Sequence, residues 1–517
     1  MLDVMFISPG NADKVYQDLS KKYTTIEPPT WALLLAQSCR SVGYKVNILD
    51  INAEGLTDRE VHNIITIQKP RLIVFVVYGQ NVNSGTTSMS GAVKTSTALK
   101  KLGVSCPISF VGSYPQALPK KCLEDESSID FVFTNEGVYA LRNILYQPLI
   151  NEQIFKNIKG IAWRSKAKEY WEKDTIIINS AEKIVPQERM DEDLPGYAWD
   201  LLPYHKKPLD LYRAPMWHAD YKEENRSPYA AIQTSLGCKF KCNFCMINIL
   251  NRDNEDEVGV ASNYSGMRYW SPEFIIKEFD KLNILGVKTI KITDEMFLLN
   301  KKYYTPLCNL LAEKSYSKDL LMWAYSRIDT VRDPKALVLL RKAGIRWLAL
   351  GIESADKMVR LEVSKGKWED VDVSKVIKQV HEAGINVMGN YIFGLPGDTE
   401  ESMQKTLDFS KELNTLGWNA YGAMALPGSQ LYQDAVFQGR DLPDSYEGYS
   451  FLGYDTLPVS NGVLSSQEIL RFRDKAFIEY HSSPKFLKMV EKTSGKVAVD
   501  AIKQMLKVKL KRKILES

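Results

Sequence analysis

Cysteine is scarce in this chain, with 7 in 517 residues, and three of the seven crowd into one short stretch. A disulfide framework would spread its cysteines in pairs, so that class is set aside and a reducing compartment, the cytoplasm, is expected. Long apolar runs are also lacking. The longest, such as 72–77, are strand-sized, and no basic region leads into an apolar run at Met1-Leu2-Asp3-Val4. Neither a membrane-spanning segment nor a secretion signal is expected. An excess of either charge is missing too: 67 basic residues against 63 acidic ones give +4, so no polyanionic partner such as nucleic acid is implied. The one basic cluster (Lys507, Lys509, Lys511, Arg512 and Lys513) reads as a solvated helix end. What remains is an ordinary globular composition, 44% hydrophobic and 25% charged, long enough for two or three cores.

Residues 1–149 alternate apolar strand runs (4–8, 45–50, 71–78, 108–112, 130–134) with helical stretches (30–42, 90–102, 138–145). That order predicts an α/β fold, a Rossmann-like doubly wound parallel sheet that binds ligands beyond the carboxyl ends of its strands. Those ends are Ser8-Pro9-Gly10-Asn11, Tyr78-Gly79-Gln80-Asn81 and Gly112-Ser113-Tyr114-Pro115. Residues 150–225 read as a connector holding a small hairpin at 160–164 and 176–178. Residues 226–432 contain six further strand runs, at 230–234, 289–293, 321–325, 347–351, 387–393 and 419–424. Helical segments between them stop at Gly286, Gly344 and Gly384, as helix ends prefer. Six βα units predict a partial (β/α)6 barrel of the TIM type. Residues 433–517 read as mostly helical.

Cys238-Lys-Phe-Lys-Cys242-Asn-Phe-Cys245 follows directly on the first barrel strand. C-x3-C-x2-C spacing delivers three thiolates from one tight loop, enough for three irons of a [4Fe–4S] cubane. The fourth iron then stays open to chelate the amino and carboxylate groups of S-adenosylmethionine (SAM). Zinc remains an alternative on spacing alone, with His205 or His218 as fourth ligand. Buried unliganded thiols are another reading, though the flanking Lys239 and Lys241 make a poor core. The strand before the loop and the barrel after it favour the cluster.

With these residues in view, the chain resembles the cobalamin-binding class of the radical SAM superfamily over most of residues 1–432. Phe244 before the last cysteine and Met267-Arg268-Tyr269-Trp270-Ser271-Pro272-Glu273 fit its pattern. The resemblance implies SAM contacts from Asp294 and Glu295, Ser326 and Arg327, and Glu353 in Gly351-Ile352-Glu353-Ser354, at the ends of successive strands. Gly389-Asn-Tyr-Ile-Phe-Gly394-Leu-Pro396-Gly397 resembles the segment near the adenine, and Leu426-Pro427-Gly428-Ser429 the one closing the barrel. For the N-terminal domain it implies cobalamin contacts from Ser8, Pro9, Asn11, Tyr78, Gln80, Gly112, Ser113, Tyr114, Glu136 and Gly137. The familiar D-x-H-x-x-G is absent, and none of the 5 histidines falls in the first loop, so a histidine below the corrin is not expected.

The implied activity is cobalamin-dependent methyl transfer to an unactivated carbon of a small-molecule, lipid, sugar or peptide substrate, with flavodoxin or ferredoxin as electron donor. Cyclisation or another oxidative rearrangement with the same cofactors is the alternative. A methylthiotransferase would need a second cluster, for which Cys39, Cys106 and Cys122 are poorly placed. A non-catalytic corrinoid or cluster sensor completes the alternatives. Trp418, Tyr421, Tyr446, Tyr449 and Tyr454 either face a substrate or pack as core and lid.

Overall fold

The computed structural model describes residues 2–10, 12–166, 174–204, 211–215, 217–218, 227–253, 258–331, 333–363 and 371–516. The first sheet contains β1 (Leu2–Ser8), β2 (Val46–Asp50), β3 (Pro70–Val77), β4 (Ile108–Gly112), β5 (Phe131–Phe133), β6 (Ile161–Ser165) and β7 (Thr175–Ile178), in the order β2-β1-β3-β4-β5-β6-β7. The first five are mutually parallel and the last two antiparallel. The expected hairpin at 160–178 is thus an extension of this sheet rather than a free-standing piece of connector.

Strand alternation splits the packing between two faces. Val4, Phe6, Val74 and Val76 join the large core that holds the helix Thr30–Arg40, while Met5, Ile7, Ile73, Phe75 and Val77 pack with Met89, Ala92 and Leu99 of the helix Gly85–Lys101. Cys39 belongs to the first core and Cys122 to the second, so the two lie on opposite faces and cannot share a second cluster.

After the connector come β8 (Tyr229–Ile232), an antiparallel hairpin of β9 (Ser235–Cys238) and β10 (Gly266–Tyr269), then β11 (Thr289–Ile292), β12 (Leu321–Arg327), β13 (Ile345–Glu353), β14 (Asn386–Phe393) and β15 (Gly417–Gly422). Six of them form one parallel sheet in the order β15-β14-β13-β12-β11-β8, an open barrel with β8 and β15 at its edges. Alternate residues point outward into the helical layer, as Met322, Ala324 and Leu348 do. Their neighbours Trp323, Trp347, Ala349 and Met388 fill the interior, with Trp217 and Tyr325 packed against them.

The remainder is mostly helical, chiefly Ser466–Ser482 and Pro484–Met505. Arg512 departs from the solvated end expected of it. It is buried, pairs with Asp474 at 2.8 Å and donates to the Phe451 carbonyl at 3.0 Å. Among the described residues no helix is long and apolar enough to cross a membrane.

Candidate functional site

The three cysteines leave β9 at the carboxyl end of β8, the rim where barrel sites form. Gly237 makes the approach possible: its φ is +83°, and a Cβ there would meet the Gly266 carbonyl oxygen at 2.3 Å. Asn248 then fixes the loop, its Oδ1 accepting the Cys238 amide at 2.7 Å and its Nδ2 donating to the Phe240 carbonyl at 3.3 Å. The 426–429 segment closes over it. The Gly428 carbonyl accepts from Ala261, and Leu431 donates to the Asn243 carbonyl, both at 2.8 Å. Burial pushes the Cys238 thiol up to about 12 and the Cys245 thiol higher still. Metal binding therefore has to release protons here, as thiolate ligation does. His218 does not complete a zinc site. Its Nε2 lies 2.8 Å from the carbonyl of Leu321, at the amino end of β12 and so on the opposite rim, and burial holds it neutral with a pKa of about 3. His205 lies outside the described residues. Three cysteines on a loop, at the strand end of a barrel, suit a cubane with one open iron.

The carboxylates behind this loop divide their work. Asp294 accepts from the Thr234 amide and hydroxyl at 2.5 Å and from the Ser235 hydroxyl at 2.7 Å, so both oxygens tie β11 to the start of the cluster hairpin. Glu295 is the group left facing the site; burial, against the Lys291 ammonium, raises it to about 7. Arg327 lies with its guanidinium 3.7 Å from the centre of the Phe240 ring and donates from Nε to Asp329 at 2.7 Å. Ser326 shares a hydrogen bond of 2.7 Å with Thr330. Glu353 is buried with φ +63°, beside a register shift in β13. A left-handed glutamate costs on the order of 1 kcal/mol and is concentrated at functional sites.

The N-terminal sheet brings a cleft to the same region. Ser8, Pro9, Tyr78 and Gln80 line it, with Pro28, Trp31 and Asp50. It lies where the order β2-β1-β3 reverses direction, the ligand position of such sheets. Trp31 stacks on Tyr78 at 4.7 Å, and its Nε1 is buried without a hydrogen-bond partner among the described residues. Such an orphaned donor is what a polar ligand on that wall would satisfy. Asp50 accepts from Ala53 and Tyr212, yet burial raises it to about 7. Asn11 lies outside the described residues.

The remaining expected corrin contacts stand elsewhere. Tyr114 packs edge-on against Tyr446 at 5.1 Å, and Gly112 and Ser113 press on β3 and Gly85. Gly137 starts the helix Val138–Tyr146 with φ +81°. Glu136 is a bolt between domains: it pairs with Arg268 of β10 at 2.7 Å, the two side chains 1% and 7% exposed. Arg268 also donates to Asn251, which braces the same hairpin.

A second buried pair crosses the domains. Lys291, inside the barrel on β11, meets Glu27 at 2.8 Å and lies over the rings of Trp323 and Tyr325. The sequence carried a signal for it, since a lysine amid the apolar run of β11 must have a partner once buried. Asn83, which reaches Cys245, had no such signal. Of the aromatics, Trp418 stacks on Tyr480 as core, Tyr446 and Tyr449 are largely covered, Tyr454 is exposed, and Tyr421 pairs with Asn419 and Phe451 on the barrel side.

Fold and site together define an α/β protein with a three-cysteine loop at the rim of an open barrel, next to a doubly wound sheet. The radical SAM superfamily model matches residues 232–410, and the B12 binding domain model matches residues 17–145. The chain thus carries a radical SAM domain, whose cofactors are a [4Fe–4S] cluster and SAM, and a B12-binding domain, whose cofactor is cobalamin. It is 24% identical over 94% of both chains to an uncharacterized methyltransferase of Pyrococcus horikoshii. It is 22% identical to the anaerobic magnesium-protoporphyrin IX monomethyl ester cyclase of Rubrivivax gelatinosus, covering 99% of this chain and 84% of that one. The same fold is seen in TsrM, a radical SAM methyltransferase from Kitasatospora setae with cobalamin and a [4Fe–4S] cluster bound: TM-score 0.60, 15% identity, 91% of this chain and 85% of that one.

Proposed function

We propose that the protein is a cobalamin-dependent radical SAM methyltransferase acting on an unactivated carbon of a small-molecule, lipid, sugar or peptide substrate. The observation that carries the reading is the convergence of two carboxyl-end rims, with Asn83 of the N-terminal domain bonded to the loop of Cys238, Cys242 and Cys245. When bound, the cluster supplies the electron that splits SAM and the corrin supplies a transferable methyl group.

The chain's own residues position these groups and exclude water. Cys238, Cys242 and Cys245 hold the cluster. Glu295, Arg327, Ser326 and Glu353 stand at the strand ends for SAM, while Asp294 holds the hairpin in register. Ser8, Pro9, Tyr78, Gln80 and Trp31 take the corrin, and Gly112, Ser113, Tyr114, Glu136 and Gly137 support it through packing. Trp323, Tyr325 and Trp347 give the barrel a dry interior, which protects a carbon radical. An electron donor of the flavodoxin or ferredoxin type and a cytoplasmic setting complete the reading.

The test is anaerobic reconstitution with iron, sulfide and hydroxocobalamin, followed by SAM and a strong reductant. Bound corrin, about four irons per chain, 5′-deoxyadenosine and S-adenosylhomocysteine are the expected result. A cluster and 5′-deoxyadenosine without corrin would remove the methyltransferase reading. The similarity to a cyclase along nearly the whole chain favours oxidative cyclisation as the second reading; 5′-deoxyadenosine and bound corrin without S-adenosylhomocysteine would select it.

A further inference from the structure

The loop after β3 touches both cofactor regions at once. Gly79, Gln80 and Ser84 line the cleft of the N-terminal sheet. One residue from Ser84, Asn83 faces the other way. Its Oδ1 accepts the backbone amide of Met246 at 2.9 Å, and its Nδ2 lies 3.4 Å from Sγ of Cys245. The Met246 amide is a donor and fixes which end of the side-chain amide is oxygen; Nδ2, at 3.4 Å against 3.7 Å for Oδ1, is the nearer end to sulfur and the one that can donate to a thiolate.

The loop has little room to relax. Gly79 has φ +65°, and a Cβ on it would meet Ser84 Oγ at 2.6 Å. A Cβ on Gly85 would meet Ser113 Oγ at 1.8 Å and the Val77 carbonyl oxygen at 2.6 Å. Asn81 closes the turn from within, exchanging hydrogen bonds with the amide and hydroxyl of Ser84. Pressure on the cleft wall at Gln80 or Ser84 is therefore carried to Asn83.

The geometry points to Asn83 as a positioning residue that tunes the cluster and reports corrin occupancy to it, through an N–H···S hydrogen bond to Cys245. A donor aimed at a ligand sulfur stabilises the reduced cluster, where the sulfurs carry more negative charge, and so raises its reduction potential. Binding in the cleft that shifts the loop shifts that hydrogen bond, and linkage requires the cluster's redox state to alter corrin affinity in return. The first half rests on the cluster alone; the second rests on the proposed cobalamin site.

The experiment is an anaerobic redox titration of the reconstituted full chain, followed by the electron paramagnetic resonance of the reduced cluster, with and without hydroxocobalamin. Asn83→Leu removes both hydrogen bonds, and Asn83→Asp keeps the acceptor for Met246 while losing the donor. Both variants are expected to retain iron and to titrate at a lower potential than the native chain. Unchanged potentials in iron-replete variants would overturn the tuning role, and loss of the cluster from both would overturn it in favour of a purely structural one. Hydroxocobalamin is expected to shift the native signal and to shift it less in Asn83→Leu. Bound corrin with no effect on the native signal would overturn the coupling. Failure of corrin to bind at all would sink the coupling and the methyltransferase reading together, while the potential shift of the variants stands separately.

Discussion

Asp50 shows how one side chain sets a pH dependence. Buried beside the cleft, it titrates near 7 in the folded chain against an ordinary 3.8. A raised carboxyl pKa means that folding favours the protonated form, so its contribution is complete below the ordinary value and disappears as pH rises through about 7. Asp50→Asn mimics the neutral acid and still caps the turn at Ala53. Melting temperatures recorded from pH 4 to pH 8, roughly the span between the two values, should fall less steeply for the variant; an identical slope would remove Asp50 from the titration. The cysteines give a sharper expectation. On the proposed function, alanine at Cys238, Cys242 or Cys245 removes one of three cluster ligands. Iron per chain after reconstitution should fall toward zero, with circular dichroism unchanged.

At the scale of elements, strands were more legible than their ends. β4 falls where its apolar run does, 108–112, because a fully buried strand is continuous in sequence and bounded by turn residues. The barrel strands were found for the same reason, with their limits displaced by a few residues. β9 and β10 were missed as a hairpin because Ser-Leu-Gly-Cys and Gly-Met-Arg-Tyr are held by Asn248, Asn251 and Asp294 rather than by alternation. Site roles were less legible still. Asp294 and Glu295 are adjacent in sequence, and only the structure separates the tie from the open carboxylate. Among the glycines of the described residues, the closest approach is at the start of the helix Gly85–Lys101, where a Cβ would meet Ser113 Oγ at 1.8 Å. Gly85→Ala places a methyl group against Ser113 and β3, overpacking that costs about 1–3 kcal/mol. A lowered urea midpoint with weaker hydroxocobalamin binding is expected, and a neutral variant would refute the close packing.

At the scale of the whole molecule, the domains are held by buried charge. Removing one partner of such a pair leaves the other uncompensated, at a cost of roughly 3–5 kcal/mol, whereas replacing both with apolar or neutral groups recovers much of it. Arg268→Met should lower the urea midpoint strongly, and Arg268→Met with Glu136→Gln should restore most of the loss. Equal destabilisation by the single and double variants would mean that the stranded Glu136 charge is not what the single variant suffers from. Glu27→Ala, which strands Lys291 among the barrel aromatics, should behave as the Arg268 single variant does. The sequence signals that Lys291 needs a partner, but it identifies neither pairing, because the partners lie 132 and 264 residues apart and share no local pattern.

The segment leading to Glu27 is itself pinned by late residues. Gln17 donates to the Leu452 carbonyl and exchanges hydrogen bonds with the backbone of Lys511, and Ser450 donates to Val15. A ribosome adding about 5–20 residues per second needs tens of seconds to travel between the two ends of that contact. Both sheets are complete in sequence well before the segment finds its clasp. For that interval the nascent chain carries both sheets without the clasp, so pinning the segment that ends at Glu27 is a late step, left to the last residues to emerge.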